Sequence, residues 1–582
     1  MFGLDYNLQN KNIDKLPDYP IPTLDETMTT YLDWLRPLVD EGGFQEAQDS
    51  IYQLLQSEAS GILEKKLNQL GTKANDSWIY DYWIKAHLDT RAPLTPHTNV
   101  PILYENNQIK EFDNVMKAAI IMHTISVIYL EQRLNPEYSY VLNNKRYSTD
   151  QFNGLLASIN HIQVDSDSYY INNKISEYIV LSFKNRLYKL RMIDSDVVVP
   201  LGKILNTIKK IMLSEEPSTC VNYLTVEPDR NKAGLILSEL LEREMNQTSY
   251  QTIKDAIIVF NLDNSSPNTM VEKLDCASYC STDVNRWHGK GLQFSLTANG
   301  HLSFIADHAF VDGGTELYLI EKMSQLLEKS SFEVETNEMT TFENLKFDTS
   351  GYEDRLIQMK KNFDVCMTSF TTRVVNLDFS REQLKRNGVL SADGFAHMAF
   401  QRAQKLTFDK IYNTYISVDN RSYFRGRTEC NRPVTAESKY FVESVTHNND
   451  NLKDLLFKAL DEHYHRTQLC KAGKGVNRYL FVLEELYKEN KNEIDPLGLI
   501  TFFKTNAYKT MCENRLSTTS FTHKDIKGLY FPPVQDDGFG IYYVIGDESY
   551  GVITAYNDYA DELDQYINHL ETAIKEMNRI IE

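Results

Sequence analysis

The chain has 582 residues, of which 42% are apolar and 24% charged, with a formal charge of −20 at neutral pH. Its length exceeds what one hydrophobic core usually organises, so two domains are expected, and without a low-complexity tract, internal repeat or Pro/Gly/Ser-rich linker they should abut. The acidic balance argues against general nucleic-acid binding, which needs a basic surface, and leaves any phosphate-bearing ligand dependent on a local basic patch.

In chain order, the first residues carry Asp5, Asp14 and Asp18, no arginine before Arg36 and no apolar signal core, and the chain closes on Arg579-Ile-Ile-Glu582 rather than a peroxisomal tripeptide. A cytoplasmic location is the simplest expectation. The first ~150 residues have a mostly helical pattern, with Trp34, Trp78 and Trp83 as large apolar anchors and turns at Leu16–Pro22 and Arg91–Pro93. Val115–Leu130 is apolar but interrupted by Lys117 and His123. It is too short for a comfortable membrane span and is expected to be a buried helix.

From Asp255 the pattern changes. Ala256–Leu262 is a short continuous apolar run typical of a buried strand, and Leu292–Leu296 with Leu302–Phe304 form a hairpin pattern turned at Asn299-Gly300. A helix is predicted from about Gly314 through Leu327, then a charged, loop-like region at 331–350. That region is the expected boundary between domains 1–350 and 351–582. The second half predicts a helix over Asp393–Leu406 and extended segments at Lys439–Val445 and Gly540–Ile545. It ends in an amphipathic helix over Tyr559–Ile581 with Leu563, Ile567, Leu570, Ile574 and Met577 on one face. Together these segments predict an α/β fold of two domains, with a site between them.

The seven cysteines are scattered; Cys276-x-x-x-Cys280 is the one close pair, and no histidine stands beside it at zinc spacing. Reduced thiols are expected, with no metal site. No phosphate-cradling Gly-rich loop and no prosthetic group are indicated.

His308-Ala-Phe-Val-Asp312-Gly313 follows the alternating stretch His301–Ala306, so a histidine and a carboxylate leave a strand end one helical turn apart. A neutral imidazole in that position can take the proton of a hydroxyl that attacks a thioester, and a carboxylate can steady the imidazolium that forms. The same spacing also suits a structural histidine, and the motif alone does not choose.

Asn285-Arg-Trp-His-Gly-Lys-Gly-Leu-Gln293, Ala306-Asp-His308 and Asp312-Gly313 resemble the core signature of the choline/carnitine acyltransferase family. Further matches arrive in family order: Leu16–Pro22 with Thr27 and Tyr31-Leu32, Trp78 with Trp83, Leu390-Ser-Ala-Asp393 followed by Met398-Ala399 and Gln401, Thr414-Tyr415, Gly426-Arg-Thr428, Arg478, Leu516-Ser-Thr-Thr519 and Asp537-Gly538-Phe-Gly540. The resemblance implies two domains, each a mixed β-sheet flanked by helices, and an active-site tunnel at their interface. It implies reversible transfer of an acyl group between coenzyme A and the hydroxyl of a small quaternary-ammonium alcohol, with no acyl-enzyme. His308 would be general base or acid and Asp312 its partner.

On the acceptor side, the carnitine branch holds a carboxylate with a Tyr, a Thr and an Arg, matched here by Tyr415, Thr428 and Arg478. Choline has no carboxylate, and a buried guanidinium facing it would be unpaired, which is costly. Ser517 and Thr519 match hydroxyls that contact the acceptor and the tetrahedral oxyanion, Thr519 adding a methyl group to the usual serine. Phe531 matches an aromatic beside the trimethylammonium. For coenzyme A, Lys385 matches one of two lysines while Val389 replaces the other, Arg386 stands nearby as compensation, and Ala392 replaces a proline before the acidic Asp393. Lys360 and Lys361 are further candidates for the basic patch. Leu529 occupies the floor position of the acyl pocket, where bulk favours a short, acetyl-sized group. Coenzyme A enters as co-substrate, no cofactor is implied, and a monomer is expected. The same fold with choline or another alcohol as acceptor, or a catalytically reduced homologue that binds coenzyme A or acyl-CoA, are the alternatives.

Overall fold

The computed structural model describes residues 16–72, 77–137, 139–142, 144–216, 218–279, 284–334, 336–447 and 449–582. Cys280 and the acidic residues Asp5 and Asp14 lie outside them. Two mixed sheets organise the described chain, as the α/β expectation requires.

The first sheet has eight strands in the order 342–344, 186–191, 178–183, 259–262, 292–296, 302–306, 102–104 and 526–529. Its centre is parallel, Val180 and Gln293 both facing Val259, and the expected hairpin pairs Leu296 with Leu302 in antiparallel register. Gly300 turns that hairpin at a φ of +87°, a backbone region that side chains with a Cβ rarely enter. Helix Asn114–Leu134 is buried along most of its length, so its apolar run is interior. Among the described residues, no helix is long and apolar enough to cross a membrane.

The second sheet has six strands in the order 370–377, 549–556, 539–544, 516–519, 414–419 and 428–431. One of its faces contributes Leu516, Phe539 and Ile541 to a core with helices Ala392–Phe408 and Ala560–Ile581. Leu563, Leu570, Ile574 and Met577 of the last helix are buried in that core and Ile567 packs on its edge, as the amphipathic pattern predicts.

Three segments depart from the sequence reading. Ala436–Thr446 is a helix where Lys439–Val445 was expected to be extended: Thr435 supplies a capping box with Ser438, and Phe441, Val442 and Val445 fall on one helical face. The chain also leaves the first core later than residue 350. Strand Phe342–Asn344 pairs with the first sheet, and Leu356, Met359 and Phe363 of helix Glu353–Met367 pack with Trp287 before strand Phe370–Leu377 opens the second sheet. Finally, strand Ile526–Leu529 departs from the second half and pairs with Ile102–Tyr104 at the edge of the first sheet. In the other direction, helices Leu24–Leu35, Glu41–Gln56 and Glu58–Thr72 share a core with Asn477–Ile494 and Asn506–Cys512. These crossings bind the halves together.

Candidate active site

Strand Leu302–Ala306 ends at Asp307 and His308. Burial pushes the Asp307 carboxyl up to about 6, while Asn99 donates to it at 2.9 Å and the Ala309 N–H at 3.2 Å. Asn99 in turn accepts the backbone N–H of His308 at 2.9 Å, which fixes where the strand releases the histidine.

The His308 imidazole meets the Val311 carbonyl through Nδ1 at 2.7 Å. A carbonyl can only accept, so Nδ1 carries the proton and Nε2 of the neutral ring is left with its lone pair. Burial holds the pKa of His308 below the ordinary imidazole value, with Arg427 and Arg478 adding to that effect and Asp312 and the Val311 carbonyl opposing it. Asp312, expected as the direct partner of the ring, stands 3.9 Å from Nδ1, beyond hydrogen-bond reach. The backbone carbonyl orients the ring, and the carboxylate acts on it through its charge.

Asp312 opens helix Gly313–Lys329 and is held by two residues. Arg427 donates to it through Nε at 2.6 Å and Nη2 at 3.2 Å, and Gln151 through Nε2 at 2.8 Å. Gln151 Oε1 also accepts the Asp312 N–H at 2.9 Å. Although burial opposes ionisation, Arg427 and His308 hold Asp312 at about 2. Arg427 reaches on to the carbonyls of Ala309 and His308 at 3.1 and 3.3 Å, clamping the loop that carries the base. One turn further, Glu316 is pushed up to about 8 by burial and the charge of Asp312, so it is protonated at neutral pH.

Arg427 is followed by Thr428, where the predicted acceptor residues meet. The Arg478 guanidinium donates to the Tyr415 hydroxyl at 2.9 Å, to Thr428 Oγ1 at 3.2 Å and to the Thr428 carbonyl at 2.9 Å. The Trp83 ring covers it, with the guanidinium carbon 3.8 Å from the ring centre. Among the described residues no carboxylate lies within ion-pair distance of that guanidinium. Burial opposes its charge, but Tyr415 and the nearby Glu429 raise the pKa of Arg478 further, so the cation persists.

Register brings the next residues to the same place. Tyr415 lies opposite Ser517, and Ser517 opposite Gly540, so all three share one face of the second sheet. Thr519 shares it by alternation; Thr518 points away and donates to the Tyr415 carbonyl at 2.8 Å. A Cβ on Gly540 would lie 2.5 Å from the Phe531 carbonyl and 3.1 Å from its ring, so the glycine makes room for Phe531 against this face. Leu529, two residues earlier, is buried at the sheet edge opposite Ile102.

The coenzyme candidates are less organised. Lys385 and Arg386 are exposed at the end of helix Arg381–Arg386. Val389 and Ala392 are buried in the second core, so the position where a lysine was sought is interior. Asp393 accepts from His463 Nε2 at 2.9 Å and from the Tyr543 hydroxyl; despite burial, these bonds, with the charges of His397 and His463, hold it well below the usual carboxylate range. Lys360 is paired with Asp364 at 2.9 Å, whereas Lys361 is exposed.

Sequence reading passed over Arg427, Gln151 and Glu316. Arg427 lay inside a matched motif without a role; Gln151 and Glu316 carry no local signal, because their importance comes from neighbours distant in sequence or from burial.

A family model described as choline/carnitine O-acyltransferase matches residues 19–572. A Mycoplasma pneumoniae protein provisionally named an acetyltransferase is 28% identical over 97% of this chain and 94% of its own length. Carnitine O-acetyltransferase of Columba livia is 24% identical over 98% of this chain and 94% of its own. Mitochondrial carnitine O-palmitoyltransferase 2 of Bos taurus is 24% identical over 97% and 91%.

Proposed function

The chain belongs to the choline/carnitine O-acyltransferase family, whose members move acyl groups between coenzyme A and an alcohol, and from that premise we propose that its alcohol is carnitine and its acyl group short. The observation that carries the acceptor is the meeting of Tyr415 and Thr428 at the buried Arg478 guanidinium, with which no carboxylate among the described residues forms an ion pair. Such a cation recognises a ligand carboxylate through charge-assisted hydrogen bonds, and choline would leave it unpaired.

In this reading Nε2 of His308 takes the proton of the carnitine hydroxyl as its oxygen attacks the thioester carbonyl. The Val311 carbonyl keeps the ring in the required tautomer, and the Asp312 charge steadies the imidazolium. The tetrahedral oxyanion accepts a hydrogen bond from Thr519, on the same sheet face as Tyr415 and Ser517. Collapse of the intermediate breaks the carbon–sulfur bond, and the imidazolium returns its proton to the departing thiolate. The Phe531 ring beside Gly540 offers an apolar, electron-rich wall to the trimethylammonium. The bulk and burial of Leu529 support a short acyl pocket. On the coenzyme side, exposed Lys385 and Arg386 would supply positive charge for the phosphates, and Asp393 is assigned by the resemblance to the pantetheine or nucleotide portion.

The test is release of free thiol from acetyl-CoA, with L-carnitine and choline offered in parallel and octanoyl-CoA as a second donor. Turnover with carnitine alone, favouring acetyl-CoA, is expected; turnover with choline would remove Arg478 from the reading.

A further inference from the structure

Helix Tyr80–Leu88 lies between two cores: Tyr80, Ile84 and Leu88 pack into the first, and Trp83 against the core that contains Tyr479. His87 sits in its last turn. Its Nδ1 meets the Trp83 carbonyl at 2.8 Å, so that nitrogen carries the proton. Its ring stands edge-on to His308, with centroids 5.0 Å apart and planes at 83°. The Trp83 ring centroid is 4.9 Å from that of His87, and the Trp83 ring carries the Arg478 guanidinium on its face. A continuous run of contacts, Arg478 to Trp83 to His87 to His308, therefore joins the cation assigned to the acceptor carboxylate with the assigned base.

We propose that His87 is a positioning residue for His308: it seats the base at a fixed distance from the acceptor clamp. The proposal rests on the reading of His308 as base. Burial, then the charges of His308 and Arg427, push the pKa of His87 down to about 3 against the pull of the Trp83 carbonyl and Asp312. It thus adds no positive charge beside the imidazolium that forms on His308. The groups facing His308 itself are Asp312 and the Val311 carbonyl, which favour its protonation, and Arg427 and Arg478, which oppose it. Removing the His87 ring would admit water to this contact, relieve part of the burial that depresses His308, and free its ring to tilt.

The experiment compares His87→Ala and His87→Phe in the full chain. It reads kcat, the KM for carnitine, and the titration of the His308 imidazole by nitrogen-15 NMR without substrate. His87→Ala is expected to lower kcat by about tenfold to a hundredfold, the scale of a misplaced reacting group, with the carnitine KM within about threefold. The His308 titration should move up toward the ordinary imidazole value. His87→Phe keeps a ring in the gap and should hold kcat within about threefold of the parent, with the titration nearly unmoved. Should His87→Ala fail to fold, His87→Phe carries the test alone: retained kcat supports seating, and a loss beyond tenfold overturns it. Parent-like kcat and titration in a folded His87→Ala also overturn it. The titration does not depend on which alcohol is the acceptor, and failure of the base assignment would show separately as turnover surviving His308→Ala.

Discussion

The residues proposed for the acceptor and those proposed for coenzyme A are held differently. Tyr415, Thr428 and Arg478 come from three elements and the buried Arg478 bonds the other two, whereas Lys385 and Arg386 lie exposed at a helix end and Val389 has passed into the core. A buried cation must find its partners at fixed positions, because an unmet charge away from water costs several kcal/mol. Phosphates met at the surface need only a concentration of positive charge, which solvent screens and which several side chains can supply. A chain can therefore keep an acceptor clamp residue for residue while it rearranges its coenzyme lysines.

The proposed base, His308, would serve both sides, so removing it should have the largest effect. His308→Ala should lower thiol release by about 10²–10⁴-fold while calorimetry still detects coenzyme A binding. Next comes the clamp. Arg478→Gln should cost about 10²–10³-fold in kcat/KM for carnitine, the range for a truncated buried charge, and leave the acetyl-CoA KM within about twofold. Thr428→Val removes a single neutral acceptor and should cost about fivefold to tenfold. Leu529→Gly should shift the ratio of octanoyl-CoA to acetyl-CoA turnover upward by about tenfold or more and lower the melting temperature through the cavity it opens. Smallest is Lys385→Ala with Arg386→Ala, expected to raise the coenzyme A KM by about twofold to fivefold and to lose that effect at high salt. A larger loss here than at Arg478 would erase the contrast between the two sides.

The pH dependence separates them again. As a base, His308 must be uncharged, so forward turnover is lost as pH falls through its pKa. Since burial holds that pKa below the ordinary imidazole value, the acidic limb should lie below about pH 6.5. A limb above that value would place a different group in the role.

Much of this arrangement was legible in the residues because its signals are local. The alternating stretch before His308, the Asn299-Gly300 turn and the apolar face of the last helix each predict an element from a few neighbours, and the ordered motifs carry the acceptor triad. What escaped depends on distance or burial. Gln151 and Arg427 reach Asp312 from 161 and 115 residues away, and neither carries a pattern that names its partner. The Val311 carbonyl orients His308 because of where the loop turns, which residue identity does not encode. Phe441, Val442 and Val445 favour strands by type, yet Thr435 and Ser438 cap them into a helix. Strand Ile526–Leu529 reads like its neighbours, and only the pairing with Ile102 and Leu103 reveals that it has crossed to the other sheet.

Binding of acceptor in the absence of chemistry tests the central claim most directly. Calorimetric titration of folded His308→Ala with L-carnitine and with choline isolates the clamp from turnover. Saturable carnitine binding that disappears when Arg478→Gln is added, with choline bound at least about a hundredfold more weakly, is the predicted result. Equal affinity for the two alcohols, or carnitine binding that survives the loss of Arg478, would contradict it.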